Sequence, residues 1–380
     1  MPRHLFYQKM KEIFIPILVS ASIFFCIDFF FGKKILDFLY TNNIIVSPEK
    51  IISQTREIQE KEKSYRIKNK HFHHTLASNI KVQSRWGPFK PYSTCTDKFG
   101  FRISCIEKNN KKNNNKNIVF IGDSFTEGLG LDYEKNFTSM FNNYSENNII
   151  NMGVASYSPV IYLKKIQHFV LKGLDIDHVV VFIDISDVDD EANNYRECEN
   201  SNKVCNYSWR NQSNINPIKK KEENFLFPLY EKIRIETKNL KRKIKPKVYI
   251  YRKNYKRSMW TYVESTDEIK RGINNSIKHM MSLHNFLKTK DISLSVAVYP
   301  QPGQIIYDKK NSKQVKIWKN FCEHKCKHFI NLFPTFFDEK PKLTSMQIIK
   351  KYYIKNDIHF NELGNKKIFN VLKNLEFKAP

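Results

Sequence analysis

Residues 117–130 read NIVFIGDSFTEGLG. Ile118, Val119, Phe120 and Ile121 form a short continuous apolar run rich in β-branched side chains, the pattern of a strand buried on both faces. Gly122, Asp123 and Ser124 follow where such a strand has to turn, which puts one serine at the carboxyl end of a central strand. Open α/β sheets bind ligands in the crevice outside those strand ends, and a helix starting just after Ser124 aims free backbone N–H groups at any anion formed there. Taken alone, the tripeptide also serves as an ordinary strand-to-helix turn with a side-chain cap.

A nucleophilic serine needs a base, and residues 356–364, NDIHFNELG, offer one near the other end of the chain. A carboxylate close before a histidine can fix the imidazole tautomer and stabilise its cation. By itself an Asp-x-His pair is commonly a surface loop.

In that order, residues 122–128 (GDSFTEG) and 356–364 resemble the opening and closing blocks of the SGNH (GDSL-type) hydrolases and acyltransferases, in particular membrane-anchored bacterial members. The family's usual closing form is Asp-x-x-His, and Asp357-x-His359 is a shorter variant. The resemblance covers roughly residues 117–375 with an insertion. It implies a flavodoxin-like three-layer α/β/α fold in which Ser124 is the nucleophile, His359 is general base and then acid, and Asp357 orients His359. It also implies an oxyanion hole. Gly153 falls where the family places a glycine whose backbone N–H joins that of Ser124, although a glycine there also permits a turn. The usual third block is Gly-x-Asn-Asp. Alignment on Asp187 puts Asp184 at the glycine and Ser186 at the asparagine, with the Ser186 hydroxyl expected to replace the amide donor.

The activity so implied is a serine esterase acting on O-acyl, above all O-acetyl, groups of a surface or extracellular glycan or of a small ester, with no cofactor and no metal. Two alternatives stand beside it. One is an O-acetyltransferase using the same triad in cell-surface polysaccharide modification; the other is a catalytically silent glycan-binding protein acting with polysaccharide-assembly partners.

The 380-residue chain carries 64 Lys and Arg against 38 acidic residues, a formal net charge of +26. Such an excess suits anionic surfaces or nucleic acid. There is no zinc-finger spacing, RNP-type signature or helix-turn-helix turn, so nucleic acid is not an expected partner. Residues 13–31, IFIPILVSASIFFCIDFFF, are nearly all apolar and flanked by Lys9, Lys11, Lys33 and Lys34, about the length that spans a hydrocarbon core. No small-residue cleavage site follows. The expectation is an uncleaved single-pass membrane anchor with the large domain outside the cytoplasm, periplasmic or extracellular. Cysteine usage agrees, because apart from Cys26 the cysteines fall into near neighbours: Cys95 with Cys105, Cys198 with Cys205, and Cys322 with Cys326. Local disulfides are the simplest pairing; a zinc site is the rival, approached only by Cys322-Glu-His-Lys-Cys326.

These signals divide the chain into an anchor (1–34), a charged helical stalk and N-terminal extension (35–116), and an SGNH-type domain (117–380) interrupted by a basic, aromatic insertion at 193–262. The insertion is expected to be a helical lid or partner surface. In the extension, His71, His73 and His74 read as a partly exposed loop, and Phe99-Gly100-Phe101-Arg102 as a stapled turn packing on the core. In the domain, strands are expected at 148–151, 178–184, 293–299 and 329–333. Helices are expected around Phe137 to Phe141, from Pro159, at 267–287 and 314–321, and after His359.

Overall fold

The structure is a computed structural model that describes residues 12, 14–20, 22, 23, 38, 65–85, 91–106, 116–198, 203–206, 257–355 and 357–375. The chain divides into two compact units, Met1–Glu57 with Asn214–Pro246, and Ile58–Ser213 with Lys247–Pro380. In the first unit, residues 12, 14–20, 22, 23 and 38 are helical and exposed. The remaining residues of the expected anchor lie outside the described residues, as does the stalk up to residue 64 apart from Phe38. Among the described residues no helix is long and apolar enough to cross a membrane. Most of the expected lid, 199–202 and 207–256, also lies outside them.

The second unit opens with short strands. β1 (Arg66–Asn69) pairs antiparallel with β2 (His73–Leu76), and β3 (Lys81–Ser84), β4 (Tyr92–Thr96) and β5 (Arg102–Ile103) form an antiparallel sheet in that order. His73 and His74 therefore sit in a strand, where a loop was expected. The Cys95–Cys105 disulfide closes the turn between β4 and β5. Within that turn Gly100 has φ 79°, and a Cβ there would lie 2.3 Å from the Leu76 carbonyl oxygen, so only glycine lets the two segments approach.

The core alternates strand and helix. β6 (Asn117–Gly122) ends in α1 (Ser124–Glu127), a single turn stopped by Gly128 at φ 81°. α2 (Phe137–Tyr144), β7 (Asn148–Asn151), α3 (Pro159–Leu171), β8 (His178–Ile183) and α4 (Ser186–Asn193) follow. A hairpin of β9 (Tyr195–Glu197) and β10 (Val204–Asn206), joined by Cys198–Cys205, forms the root of the insertion. Then come α5 (Asp267–Lys288), β11 (Ser293–Val298), α6 (Pro302–Tyr307), α7 (Lys313–Cys322), β12 (His328–Asn331), α8 (Phe333–Phe337), α9 (Ser345–Tyr352) and α10 (Glu362–Leu372).

The five long-range strands form one parallel sheet in the order β12-β11-β8-β6-β7. Numbered along the chain this is 2-1-3-4-5, the flavodoxin-like order, whose switch point lies between β6 and β8. Every residue of β8 and the Ile118–Ile121 run of β6 are buried, as the unbroken apolar runs require. Over the sheet, Phe120 stacks on Phe141 with centroids 5.5 Å apart, and Phe137 meets Phe182 at 4.8 Å. α10 packs on α2, while α3, α4 and α5 pack on one another as a second group. The fifth strand stops at Asn331, short of the expected Phe333. The Asn331 side chain accepts the Phe333 N–H at 3.1 Å, and Pro334 sits in the first turn of α8, where its missing N–H is no loss.

Candidate active site

Ser124 stands at the carboxyl end of β6 as the first residue of α1, beside the switch point. Asp123 caps that helix by accepting the Phe125 N–H at 3.0 Å. The cap fixes the turn that presents the serine. The backbone N–H of Ser124, first in its helix, has no intrahelical acceptor to serve.

His359 arrives on the loop between α9 and α10. Its carbonyl accepts the Ile354 N–H at 2.8 Å, and Tyr353 bridges Phe360. Phe360 stacks on Phe336 at 5.2 Å, and Asn361 caps α10 by accepting the Gly364 N–H at 3.0 Å. A Cβ on Gly364 would lie 2.2 Å from the Tyr352 carbonyl oxygen, so this glycine seats α10 against α9. Anchored on both sides, the buried His359 ring lies 4.8 Å from Phe125.

Three side chains meet here in a line. His359 Nε2 lies 2.8 Å from Ser124 Oγ, and His359 Nδ1 is hydrogen-bonded to Asp357 Oδ1. The same carboxylate oxygen accepts the His359 backbone N–H at 2.9 Å. One intervening residue is thus enough for Asp357 to hold both the backbone and the ring. With Nδ1–H given to Asp357, Nε2 is left to accept the serine proton, the tautomer a general base needs.

The three expected oxyanion donors differ in their resting partners. The Gly153 N–H donates to Asn151 Oδ1 at 3.0 Å. What its lack of a side chain provides is approach, since a Cβ there would lie 2.7 Å from Thr126 Cβ and 2.8 Å from the Glu127 nitrogen. The Ser186 hydroxyl donates to Asp184 Oδ1 at 2.7 Å, and its N–H donates to the same oxygen at 2.6 Å. A hydroxyl has one proton, so in this arrangement it cannot also serve an oxyanion. Of the three donors, only the Ser124 N–H stands unspent by a side chain.

Around them lies a buried carboxyl group of partners that sequence reasoning largely missed. Asp123 accepts from Tyr299 Oη at 3.1 Å, and lies 3.2 Å from Ser124 Oγ through its other oxygen. Asp184 also accepts from Gln301 Nε2. Burial, then the neighbouring Asp184 carboxylate, pushes Asp123 well above the ordinary carboxylate range. Burial, with Asp184 and Asp123, does the same to Asp187, and burial lifts Asp190 to about 8. A protonated Asp123 does not compete with His359 as a base and adds no negative charge beside a developing oxyanion. Asp123 and Asp184 were visible in the motifs, but nothing in the sequence pointed to Gln301.

The N-terminal extension grips the nucleophile turn from behind. Arg102, almost wholly buried, donates to the carbonyls of Glu127 at 2.6 Å, Gly128 at 2.5 Å and Leu131 at 2.6 Å. Arg66 forks onto Glu127 with bonds of 3.0 and 2.6 Å, and Glu127 also accepts the Ala155 N–H at 2.7 Å. Burial pushes the Glu127 carboxyl up, but the charge and hydrogen bonds of Arg66 outweigh it and hold the group below its ordinary value. His74 Nε2 donates to the Ala155 carbonyl at 2.8 Å, so the expected surface histidine is tied to the loop that follows β7. Cys322 and Cys326, the zinc-like spacing, are bonded to each other.

No sequence-family model and no curated protein matches the chain. Among solved structures, a member of the lipolytic G-D-S-L family from Veillonella parvula is 11% identical over 70% of this chain and 100% of its own, with TM-score 0.39. An acetylxylan esterase from Geobacillus stearothermophilus, solved as a catalytic mutant, is 12% identical over 70% of this chain and 97% of its own, TM-score 0.38. The psychrotrophic esterase EstA from Pseudoalteromonas is 10% identical over 68% and 96%, TM-score 0.36.

Proposed function

We propose that the chain is an SGNH-type serine esterase that removes O-acyl groups, above all O-acetyl groups, from a surface or extracellular glycan. The observation that carries this reading is the hydrogen-bonded line from Ser124 through His359 to Asp357. Ser124 Oγ attacks the ester carbonyl while its proton passes to His359 Nε2. The tetrahedral oxyanion collapses, the alcohol leaves with that proton, and water activated by the same histidine releases the acid. Serine, histidine and aspartate suffice for this chemistry. With Gly153 and Ser186 engaged elsewhere, the resting oxyanion hole is incomplete, and one missing donor costs roughly 100-fold to 1,000-fold in rate. Slow turnover of simple esters is therefore part of the reading.

Ser124 is 8% and His359 3% exposed, and this burial favours a second reading, in which a bound sugar hydroxyl takes the acetyl group in place of water. That protein is an O-acetyltransferase with the same first half-reaction. Both readings place the domain outside the cytoplasm on an anchor at residues 13–31, a proposal supported by the three disulfides, which belong to an oxidising compartment. Protease protection in sealed vesicles tests the location.

The activity is tested with purified protein on p-nitrophenyl acetate, with a fluorophosphonate probe, and on acetylated and deacetylated glycans. Labelling of Ser124 with acetate release identifies the esterase. Labelling with net acetylation of the glycan identifies the transferase. Absence of both labelling and turnover would leave the silent binding protein.

A further inference from the structure

At the amino ends of β11 and β12, opposite the sheet end that carries Ser124, lies an open cavity of about 280 Å³. His284 and Lys288 reach it from the last turns of α5, Asp291 from the following turn, and His324, Lys325 and Lys327 from the link between α7 and β12. Five side chains able to carry positive charge thus face one carboxylate.

Some lysines of this unit pair with carboxylates, Lys164 with Glu197 at 2.7 Å, Lys310 with Asp338 at 2.8 Å, and Lys367 with Glu339 at 2.6 Å; the cavity gathers lysines that do not. Among the described residues, Lys288, Lys325 and Lys327 have no carboxylate within ion-pair distance. Lys288 is explained in part by the α5 C-terminus, where a cation suits the helix dipole. Lys325 Nζ donates to the Glu323 carbonyl at 3.3 Å, and Lys327 stands just before β12, away from any helix C-terminus.

Their arrangement is held in place. The Cys322–Cys326 disulfide closes the turn bearing His324 and Lys325, and the Lys327 N–H donates to the Leu294 carbonyl at 2.7 Å. Asp291 and His324 both adopt left-handed backbone, φ 55° and 59°, a conformation uncommon outside glycine. Burial, with Lys288 and Lys325, holds His284 below its ordinary value, and burial with Lys116 lowers Lys327. An anion in the cavity would reverse both effects.

We infer that this cavity is a binding site for a phosphate group. The cations that line the cavity are lysines and histidines, with no arginine among them. Ammonium groups act as point charges and suit a tetrahedral anion that presents oxygens in several directions. Free phosphate and the headgroup of a phosphomonoester lipid share this chemistry.

The test titrates the full chain by calorimetry with inorganic phosphate and with dihexanoyl phosphatidic acid, while proton NMR follows the His284 imidazole. Saturable binding that raises the His284 pKa is expected, and Lys325→Gln with Lys327→Gln should weaken it about 10-fold or more. A control pair that removes the same charge, Lys366→Gln with Lys373→Gln, should leave binding within about 2-fold. A thermal melt of each variant separates lost binding from lost fold, and Lys288→Gln provides a milder second variant. Tighter, pocket-dependent binding of the lipid than of phosphate upholds the site and names a headgroup as its ligand; equal or weaker lipid binding upholds it with free phosphate. No saturable binding, or equal loss in both lysine pairs, would overturn the inference. Ester turnover by Ser124 is a separate readout that these variants leave unchanged.

Discussion

Asp184 Oδ1 accepts both the hydroxyl and the backbone N–H of Ser186, at 2.7 and 2.6 Å. The side chain in the family's amide position is therefore spent on organising the start of α4. Ser186→Ala should change kcat/KM for p-nitrophenyl acetate by less than about 3-fold, and lower stability to urea by about 1 kcal/mol for the lost bond. A loss near 100-fold would return Ser186 to the oxyanion hole.

Removing the nucleophile or mis-setting the base should separate cleanly. Ser124→Ala is expected to abolish both turnover and fluorophosphonate labelling with an unchanged circular dichroism spectrum. Asp357→Asn keeps the size of the side chain but no longer selects the Nδ1–H tautomer of His359, and should lower kcat about 10,000-fold. Persistent labelling in Ser124→Ala would move the chemistry to another residue.

Breaking the buried Arg66–Glu127 fork leaves an uncompensated carboxylate under α1. Arg66→Ala should cost about 3–5 kcal/mol in urea denaturation, and Arg66→Lys should recover only part of it. Because Glu127 titrates below its ordinary value when folded, its contribution is present above the unfolded pKa and is lost as pH falls through the folded one. The penalty of Arg66→Ala should accordingly shrink in acid. An equal penalty at pH 3 and pH 7 would contradict the assignment.

Lys165 gives a dependence of the same sign in a higher pH window. Its ammonium donates to the Met152 carbonyl at 3.0 Å and to Tyr157 Oη at 3.1 Å, yet burial lowers its pKa from 10.5 to about 7. Between those values the unfolded chain binds the extra proton, so stability rises with pH across the window, and the charge costs most below about 7. Relative to wild type, Lys165→Met should look better at pH 6 than at pH 9 by about 3 kcal/mol. Urea midpoints at the two pH values check it, and no difference between them would sink the assignment.

Much of the scaffold was legible because unbroken β-branched runs have few other uses: Ile118–Ile121 and His178–Ile183 are the two innermost pairing partners around the switch point. Ser124, Asp357 and His359 could be named because their two blocks resemble those of the SGNH hydrolases, and the structure brings the three side chains within hydrogen-bond reach. The oxyanion donors could not be settled in the same way. Whether Gly153 offers its N–H to an anion depends on which way Asn151 turns, and Ser186 depends on a carboxylate two residues away. Such choices between nearby acceptors leave no periodicity to read. His73 and His74 were misplaced because β2 exists only through its pairing with β1. The short α1 follows from Gly128 in left-handed backbone, a stop that an apolar pattern does not announce.

The hydrogen bond between Ser124 and His359 closes a loop of 235 residues. Closing a loop of that length carries a chain-entropy cost that the rest of the fold has to offset. A nascent chain that has already built β6, α1 and the clasp of Arg66 and Arg102 therefore holds its nucleophile without a base. The line of three side chains is complete only when the segment between α9 and α10 has docked and brought His359 over Ser124.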